Sequence, residues 1–317
     1  MRIVMVSPAP PGSRTGNATT AARWTRRLRE LGHRVVLRTS WDGEPCDLLV
    51  ALHARKSAGS VARFHRLHPG RSIVVVLTGT DLYRDLPHNA AARRAIATAT
   101  RLVVLQPLAI AAIPANSRSK AVVILQAADA PRRRARPPRT KSLDVLVLAH
   151  LRAVKDPLRA ARAARHLPAD SRIRVVHAGA ALAPADAARA RAEMRRNLRY
   201  HWLGSVPPAA ARRLLQRAAA LVLSSRLEGG ANVVSEAIVS GVPVLASRIP
   251  GSVGLLGSRY PGYFTVGDAR GLARLLHRFE TDPRFRARLR RDVRRLAPRF
   301  TAARERAAWR SLLAGLA

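Results

Sequence analysis

Residues 224–246 read Ser224-Ser-Arg-Leu-Glu-Gly-Gly-Ala-Asn-Val-Val-Ser-Glu-Ala-Ile-Val-Ser-Gly-Val-Pro-Val-Leu-Ala246. An apolar run ends near Ser224, a loop follows with Glu228, Gly229 and Gly230, and the apolar spacing over 231–240 predicts a helix. A second β-rich run, 242–246, comes directly after Gly241. Strand, glycine turn, helix and strand make a βαβ unit, which belongs in a parallel sheet. Glycines at such a turn let a phosphate reach the backbone, and the free N–H groups and dipole of the helix favour that anion. Glu228 in the loop and Glu236 inside the helix flank this point, and a carboxylate accepts paired hydrogen bonds from the hydroxyls of a ribose or a hexose. The plainer alternative is a turn and a capped helix with two surface glutamates.

The alternation extends outward in both directions. On the N-terminal side, strands are predicted at 2–6, 34–38, 47–51, 72–77, 102–105 and 121–125, with helical patterns between them that include 19–31 and 90–99. On the C-terminal side, strands are predicted at 143–149, 172–177 and 221–223 and a helix at 156–165. Beyond Gly267 the pattern is helical, broken near Asp282-Pro283 and Ala297-Pro298. Residues 129–142 read Asp-Ala-Pro-Arg-Arg-Arg-Ala-Arg-Pro-Pro-Arg-Thr-Lys-Ser, with three prolines, six cations and no apolar period. That is the composition of an exposed linker. The chain therefore divides into a domain at 1–128, a linker at 129–142 and a domain at 143–317 whose final helices can pack back on the first. Two doubly wound α/β domains are expected to hold a ligand in a cleft between them, at the carboxyl ends of their strands.

The chain has 317 residues, with 57 Lys+Arg against 19 Asp+Glu and a net charge of +38. Such an excess points first to polyanions. Only Lys56, Lys120, Lys141 and Lys155 are lysines, so 53 of the 57 cations are arginine. Arginine, alanine and proline share GC-rich codons and all are abundant here, so base composition accounts for much of the charge. Aromatic residues make up 4%, and no basic patch interleaves them as a single-strand binder needs for stacking. Residues 270–310 carry 14 Arg against Glu280, Asp282, Asp292 and Glu305. They suit either solvated helix faces or attraction to anionic lipid or phosphate.

A hydrophobic content of 48% excludes a disordered polycation. The one cysteine, Cys46, excludes an internal disulfide and a Cys-cluster metal site, fits a reducing cytosol and reads as structural. The longest apolar stretch, 102–115, is interrupted by Gln106, Pro107 and Pro114 and falls short of the about 20 residues a spanning helix needs. The opening apolar run is too short and too early for a signal peptide. These features predict a cytoplasmic protein without stable membrane insertion.

The segment from Glu228 continues through Glu236-Ala237, Ser240-Gly241, Val242-Pro243 and Val244, and resembles the Glu-x7-Glu segment of retaining family-4 glycosyltransferases of the GT-B fold. The resemblance implies two Rossmann-like domains and a nucleotide-sugar donor. It makes Glu228 the residue that holds donor-sugar hydroxyls, Gly229 and Gly230 (with Ala231 and Asn232) the diphosphate loop, and Glu236 the ribose ligand. Leu148-Ala-His-Leu-Arg-Ala-Val-Lys-Asp-Pro places Lys155 at the family's diphosphate lysine. His150 stands where an arginine is usual, with Arg152 two residues on. Val176-His177-Ala178-Gly179 and Trp202-Leu203-Gly204-Ser205 resemble the strand ends that line the base, which makes His177, Gly179, Leu203 and Gly204 donor-site candidates. The loop from Ser7, with Gly12, Gly16 and Asn17, resembles the family's first glycine loop, and Asn17 also suits a helix N-cap.

Three further segments are narrower in resemblance: Asp42-Gly-Glu-Pro-Cys-Asp-Leu-Leu-Val-Ala-Leu-His-Ala-Arg-Lys-Ser57, Leu77-Thr-Gly-Thr-Asp-Leu-Tyr-Arg-Asp-Leu-Pro87 and Val104-Leu-Gln-Pro107. They look like the selenosugar synthases of selenoneine biosynthesis, short glycosyltransferases that join selenophosphate to the sugar of a UDP-sugar. The implied partners are a UDP-hexose, N-acetylglucosamine by preference, and selenophosphate, with no nucleic acid. The acceptor side would use Arg14, Thr15, His53, Arg55, Lys56, Thr78, Gly79, Thr80, Asp81 and Arg84. Selenophosphate is anionic near neutral pH, so its selenium needs no general base. It needs cations, N–H donors and an open line to the anomeric carbon.

The chain contains no Asp-x-Asp, so the implied transfer uses no metal and no cofactor beyond the UDP-sugar co-substrate. Lys155, Arg152 or His150 would stabilise departing UDP. Gln126-Ala127-Ala128 departs from the family's Asn-Gly after the last N-domain strand. The family implies retention at the anomeric carbon, while a soft anionic nucleophile also permits in-line inversion. Two rivals stand beside this reading. One is a conventional glycosyltransferase acting on a lipid or saccharide; the other is a basic nucleic-acid-binding protein, against which the carboxylates Glu228 and Glu236 speak.

Overall fold

A computed structural model describes residues 1–10, 12, 13, 15–130 and 142–316. Arg14 and most of the expected linker, 131–141, lie outside the described residues. The chain forms two compact units. The first comprises Met1–Ala127, Glu228–Asn232 and Arg299–Ala317; the second comprises Ala128–Leu227 and Val233–Pro298.

The first unit contains β1 (Arg2–Val6), α1 (Gly16–Glu30), β2 (Arg34–Arg38), β3 (Leu48–Leu52), α2 (Ala58–Leu67), β4 (Ser72–Leu77), α3 (Ala90–Thr98), β5 (Arg101–Val104) and β6 (Ala121–Val123). Its six strands are all parallel, in the order β2-β1-β3-β4-β5-β6. The second unit contains β7 (Leu143–Leu148), α4 (Arg159–Ala164), β8 (Ile173–Ala178), α5 (Pro184–Arg196), β9 (Tyr200–Trp202), α6 (Pro208–Arg217), β10 (Ala220–Leu223), α7 (Asn232–Ser240), β11 (Val244–Ser247), α8 (Pro250–Leu256), β12 (Tyr263–Phe264), α9 (Ala269–Thr281) and α10 (Pro283–Leu296). Its six parallel strands run β12-β11-β10-β7-β8-β9. The remaining helix, α11 (Ala302–Ala314), belongs to the first unit.

The central strands are continuous runs of Val, Leu and Ile because helices cover both faces of each sheet; all five residues of β3 are buried. On one face of the first sheet, Trp24 and Leu28 of α1 and Trp309 of α11 pack on Ile3, Val50 and Val76. On the other, Phe64 of α2, Trp41, Leu82 and Ile96 pack on Leu49, Val75 and Val104. Trp24 and Trp309 meet edge to face, with centroids 5.0 Å apart at 77°. Glu305 of α11 is buried beside them. Its Oε1 accepts from Trp24 Nε1 (2.8 Å), Arg23 Nε (3.1 Å) and the Ala127 N–H (3.0 Å), and its Oε2 from Arg27 Nε (3.4 Å).

Several boundaries differ from expectation for local reasons. α1 begins at Gly16 rather than residue 19, because Thr15 is its N-cap and accepts from the Ala18 N–H at 3.3 Å; Asn17 is inside the helix and not the cap. The helix expected from 156 begins at Arg159, since Asp156 takes a left-handed φ of 41° after a 3-10 turn at Ala153–Lys155. β9 and β12 are edge strands too short to leave a periodicity. Strand order reverses between β1 and β3 and between β7 and β10, the two places where doubly wound sheets hold ligands. Among the described residues, no helix is long and apolar enough to cross a membrane.

Candidate active site

In the second unit the loops after β7 and β10 leave the sheet side by side at the point of reversal. The Arg226 N–H donates to Val154 O at 2.8 Å, and Ser224 Oγ donates to the carbonyls of Lys155 (3.3 Å) and Asp156 (2.8 Å). These bonds fix the 3-10 turn that carries Lys155. Asp156 is left-handed and accepts from Arg159 Nε at 2.9 Å, so it is occupied in closing the turn. Lys155 is half-buried and Arg152 exposed. The Ala180 N–H donates to His150 Nδ1 at 3.0 Å, so a neutral His150 ring carries its proton on Nε2 and is a donor there. Glu236 lies half-buried in α7.

The strand-end residues of β8 and β9 divide into two kinds. His177 is fully buried, with Nδ1 2.7 Å from Tyr200 Oη and Nε2 2.8 Å from Ala149 O. Burial lowers its pKa to about 4. Both nitrogens are committed to protein groups, so His177 braces β7, β8 and β9 instead of lining a base pocket. A Cβ on Gly179 would stand 1.8 Å from Ala149 O, which explains the glycine by backbone crowding. Leu203 is 47% exposed on the loop after β9, beside a half-buried Gly204.

The segment Glu228–Asn232 belongs to the first unit, and its glycines have a packing reason. A Cβ on Gly229 would lie 2.5 Å from Thr78 O, and one on Gly230 2.6 Å from Leu105 Cβ. Gly79, with φ +128°, faces Gly229 in turn: its Cβ would fall 2.5 Å from Gly229 N. The expectation that these glycines exist to admit a phosphate thus meets a second constraint, the close seating of backbone on backbone. Glu228 is 8% exposed. Asn232 Oδ1 accepts from Arg23 Nη1 at 3.0 Å and its Nδ2 donates to Thr20 Oγ1 at 3.3 Å, on α1 just beyond Gly16. Gly12, with φ +80°, shapes the loop before α1.

At the carboxyl ends of β3 and β4 eight of the ten expected acceptor residues come together, although not all face outward; of the other two, Arg14 lies outside the described residues and Thr15 caps α1. Asp81 is completely buried. Its Oδ1 accepts from the Thr78 N–H (2.9 Å), Thr78 Oγ1 (3.2 Å) and the Gly79 N–H (2.8 Å), and its Oδ2 from the Ala54 N–H (2.9 Å). It therefore ties the two loops together and is not a substrate ligand; its charge is absorbed by four donors. His53 is 3% exposed and has a strained left-handed φ of 72°. Its Nδ1 accepts from the Lys56 N–H (3.4 Å) and its Nε2 donates to Thr80 Oγ1 (3.2 Å). Burial is the main cause that lowers its pKa.

Beyond it, the short π-helical turn Asp81–Asp85 carries Arg84. Asp85 accepts from Arg55 Nε (2.7 Å) and Arg84 Nε (3.2 Å). Burial pushes its carboxyl up, but the two arginines outweigh this and hold it below the ordinary range. Lys56 is exposed on the same turn as Arg55.

The sequence profile of glycosyl transferases group 1 matches residues 129–296, more than half of the chain. The chain belongs to this family. Its fold is that of several solved glycosyltransferases. Anabaena HepE in complex with UDP and glucose superposes with a TM-score of 0.81 at 15% identity, over 99% of this chain and 100% of that one. Sucrose-phosphate synthase from Thermosynechococcus elongatus gives 0.77 at 14% identity, over 99% and 98%. A glycosyltransferase from Rickettsia africae gives 0.76 at 11%, over 99% and 98%. No curated protein sequence matches the chain significantly. This group 1 glycosyl transferase therefore has the GT-B architecture expected of it.

Among the described residues of this glycosyl transferase, no three His, Cys, Asp or Glu side chains gather as a metal ion would require. Cys46 is buried at the foot of the first sheet, where burial raises its thiol pKa, away from the strand ends that carry the candidates. Sequence reasoning missed Asp85, Asp156 and Glu305, because an aspartate or glutamate between arginines looks like any surface pair until burial is known. One signal was present in the sequence: Asp81 and Asp85 lie four apart with Arg84 between, directly after a strand.

Proposed function

We propose that this group 1 glycosyl transferase moves the hexose of a UDP-sugar, N-acetylglucosamine by preference, onto selenophosphate in the cytoplasm, without a metal. A selenium lone pair attacks the anomeric carbon, the carbon–oxygen bond to UDP breaks, and its electron pair leaves with UDP. Water then cleaves the selenium–phosphorus bond, releasing phosphate and a selenosugar of the kind used for selenoneine. Lys155, with Arg152 or His150, would meet the charge that develops on UDP. Glu228 would hold the hexose and Glu236 the ribose.

The observation that carries the acceptor is the state of the titratable groups at the ends of β3 and β4. His53 has both nitrogens engaged and Asp81 has four donors, so neither is placed to deprotonate a hydroxyl. Arg55, Lys56 and Arg84 are exposed cations beside them. A nucleophile that arrives as an anion suits that setting.

The test is mass spectrometry on purified protein with UDP-N-acetylglucosamine and selenophosphate generated in situ. A hexosamine with the isotope pattern of selenium, formed with matching UDP, is expected. UDP released without a selenium product would keep the donor and overturn the acceptor. A second reading, transfer to a saccharide or lipid hydroxyl, is favoured by the exposed arginine row of α10 (Arg284, Arg288, Arg291, Arg295), which suits an anionic interface. Transfer to an extracted lipid with flotation on anionic vesicles would support it.

A further inference from the structure

We infer that Arg55 and Arg84, held together by the buried carboxylate of Asp85, form a seat for a tetrahedral oxyanion, and that Asp85 is the positioning residue of that seat. The identity of the seat as the acceptor site rests on the function proposed above; its existence rests on geometry. Two guanidinium groups repel each other unless a negative charge lies between them. Asp85 is 9% exposed and accepts one Nε from each, at 2.7 and 3.2 Å. The side chains above it are open, 40% exposed for Arg55 and 62% for Arg84. Among the described residues, neither arginine has a protein hydrogen bond from its two terminal nitrogens. Those nitrogens are the fork that binds a phosphate-type anion bidentately.

Both arms of the seat are anchored to one turn. Arg84 and Asp85 lie in the π-helical turn Asp81–Asp85, a kind of local helix defect frequent at functional sites. Arg55 follows His53 and Ala54, whose loop is pinned to the same turn by the bond from the Ala54 N–H to Asp81. With Lys56 exposed alongside, the three cations outnumber the carboxylates of Asp85 and the buried Asp81, and a net positive charge remains for a phosphate-type anion. A neutral sugar hydroxyl would need neither the surplus nor the paired forks.

The experiment is binding of inorganic phosphate to the full chain by titration calorimetry at fixed ionic strength, with KM values for selenophosphate and UDP-N-acetylglucosamine measured alongside. Arg55→Gln and Arg84→Gln are each expected to weaken phosphate by about 10- to 100-fold, the worth of one charge-assisted contact. Asp85→Asn separates positioning from charge. Coulomb attraction alone predicts tighter phosphate binding once the carboxylate is gone, whereas loss of the clamp predicts weaker binding and a raised selenophosphate KM with the UDP-sugar KM unchanged. Weaker binding of about tenfold is expected; tighter or unchanged binding overturns the role of Asp85.

Should Asp85→Asn fail to fold, Arg84→Gln, at an exposed side chain, still decides: undiminished phosphate binding overturns the seat. Phosphate bound as described, with no transfer from UDP-sugar to selenophosphate, would uphold the seat and overturn the proposed function instead.

Discussion

Lys155 is held by its backbone: its carbonyl accepts from Ser224, and the turn it ends is closed by a left-handed Asp156. In the proposed transfer this rigid turn, at the point of strand reversal, would bring its ammonium to the leaving diphosphate. Lys155→Ala is expected to lower turnover by about 10²–10³-fold, measured as UDP release, with little change in thermal stability; full turnover would remove Lys155 from the mechanism. His177 makes a different prediction. Burial, helped by the nearby His150 and opposed by the bond to Ala149, lowers its pKa from 6.5 to about 4. Its contribution to stability is complete above pH 6.5. As pH falls from 6.5 towards 4, the unfolded chain takes up a proton that the folded one refuses, and about 3 kcal/mol is lost. Urea midpoints should fall across that window and flatten there in His177→Gln; a native profile already level would contradict the burial argument.

At the scale of elements, the buried polar link between α11 and α1 is the carboxylate of Glu305, with an outer ion pair from Arg306 to Glu30 at 3.0 Å. Glu305 is fully buried between Arg23 and Arg27, whose side chains are 12% and 6% exposed, and also takes the Trp24 indole N–H. Removing one partner of a buried ion pair strands the others, at about 3–5 kcal/mol. Glu305→Ala should lose that much in urea unfolding, and the near-ultraviolet dichroism of the Trp24–Trp309 contact should weaken with it. A loss under about 1 kcal/mol, typical of a surface pair, would mean that the apolar contacts of Trp309, Leu312 and Leu313 hold the helix without it.

Over the whole molecule, a charge of +38 will attract any polyanion. The exposed arginines of α10 repeat along one face while Phe285, Leu289 and Val293 of the same helix are buried, so the charge is displayed on the surface, with Arg295 4.0 Å from Asp292. Duplex DNA is expected to bind without sequence preference and to release steeply as salt rises, leaving UDP-sugar turnover unaltered. Salt-resistant, sequence-selective binding would instead favour a nucleic-acid partner.

The sequence by itself determined the fold class, because buried parallel strands must be continuous apolar runs and glycine turns must punctuate them: 2–6, 34–38 and 72–77 were readable to the residue. It also determined the family, through Glu228-Gly-Gly and Glu236 with Lys155 in step. It misjudged what depends on who lies across the sheet. Asp81 looked like a ligand and is a knot between two loops; His177 looked like a base contact and is a brace; Gly229 looked like a phosphate seat and is also a backbone contact. Asp85 went unnoticed although it gathers two arginines. Burial and partners separate a substrate-facing charge from a structural one. Both are properties of segments distant in the chain, which only the tertiary structure brings within hydrogen-bond reach.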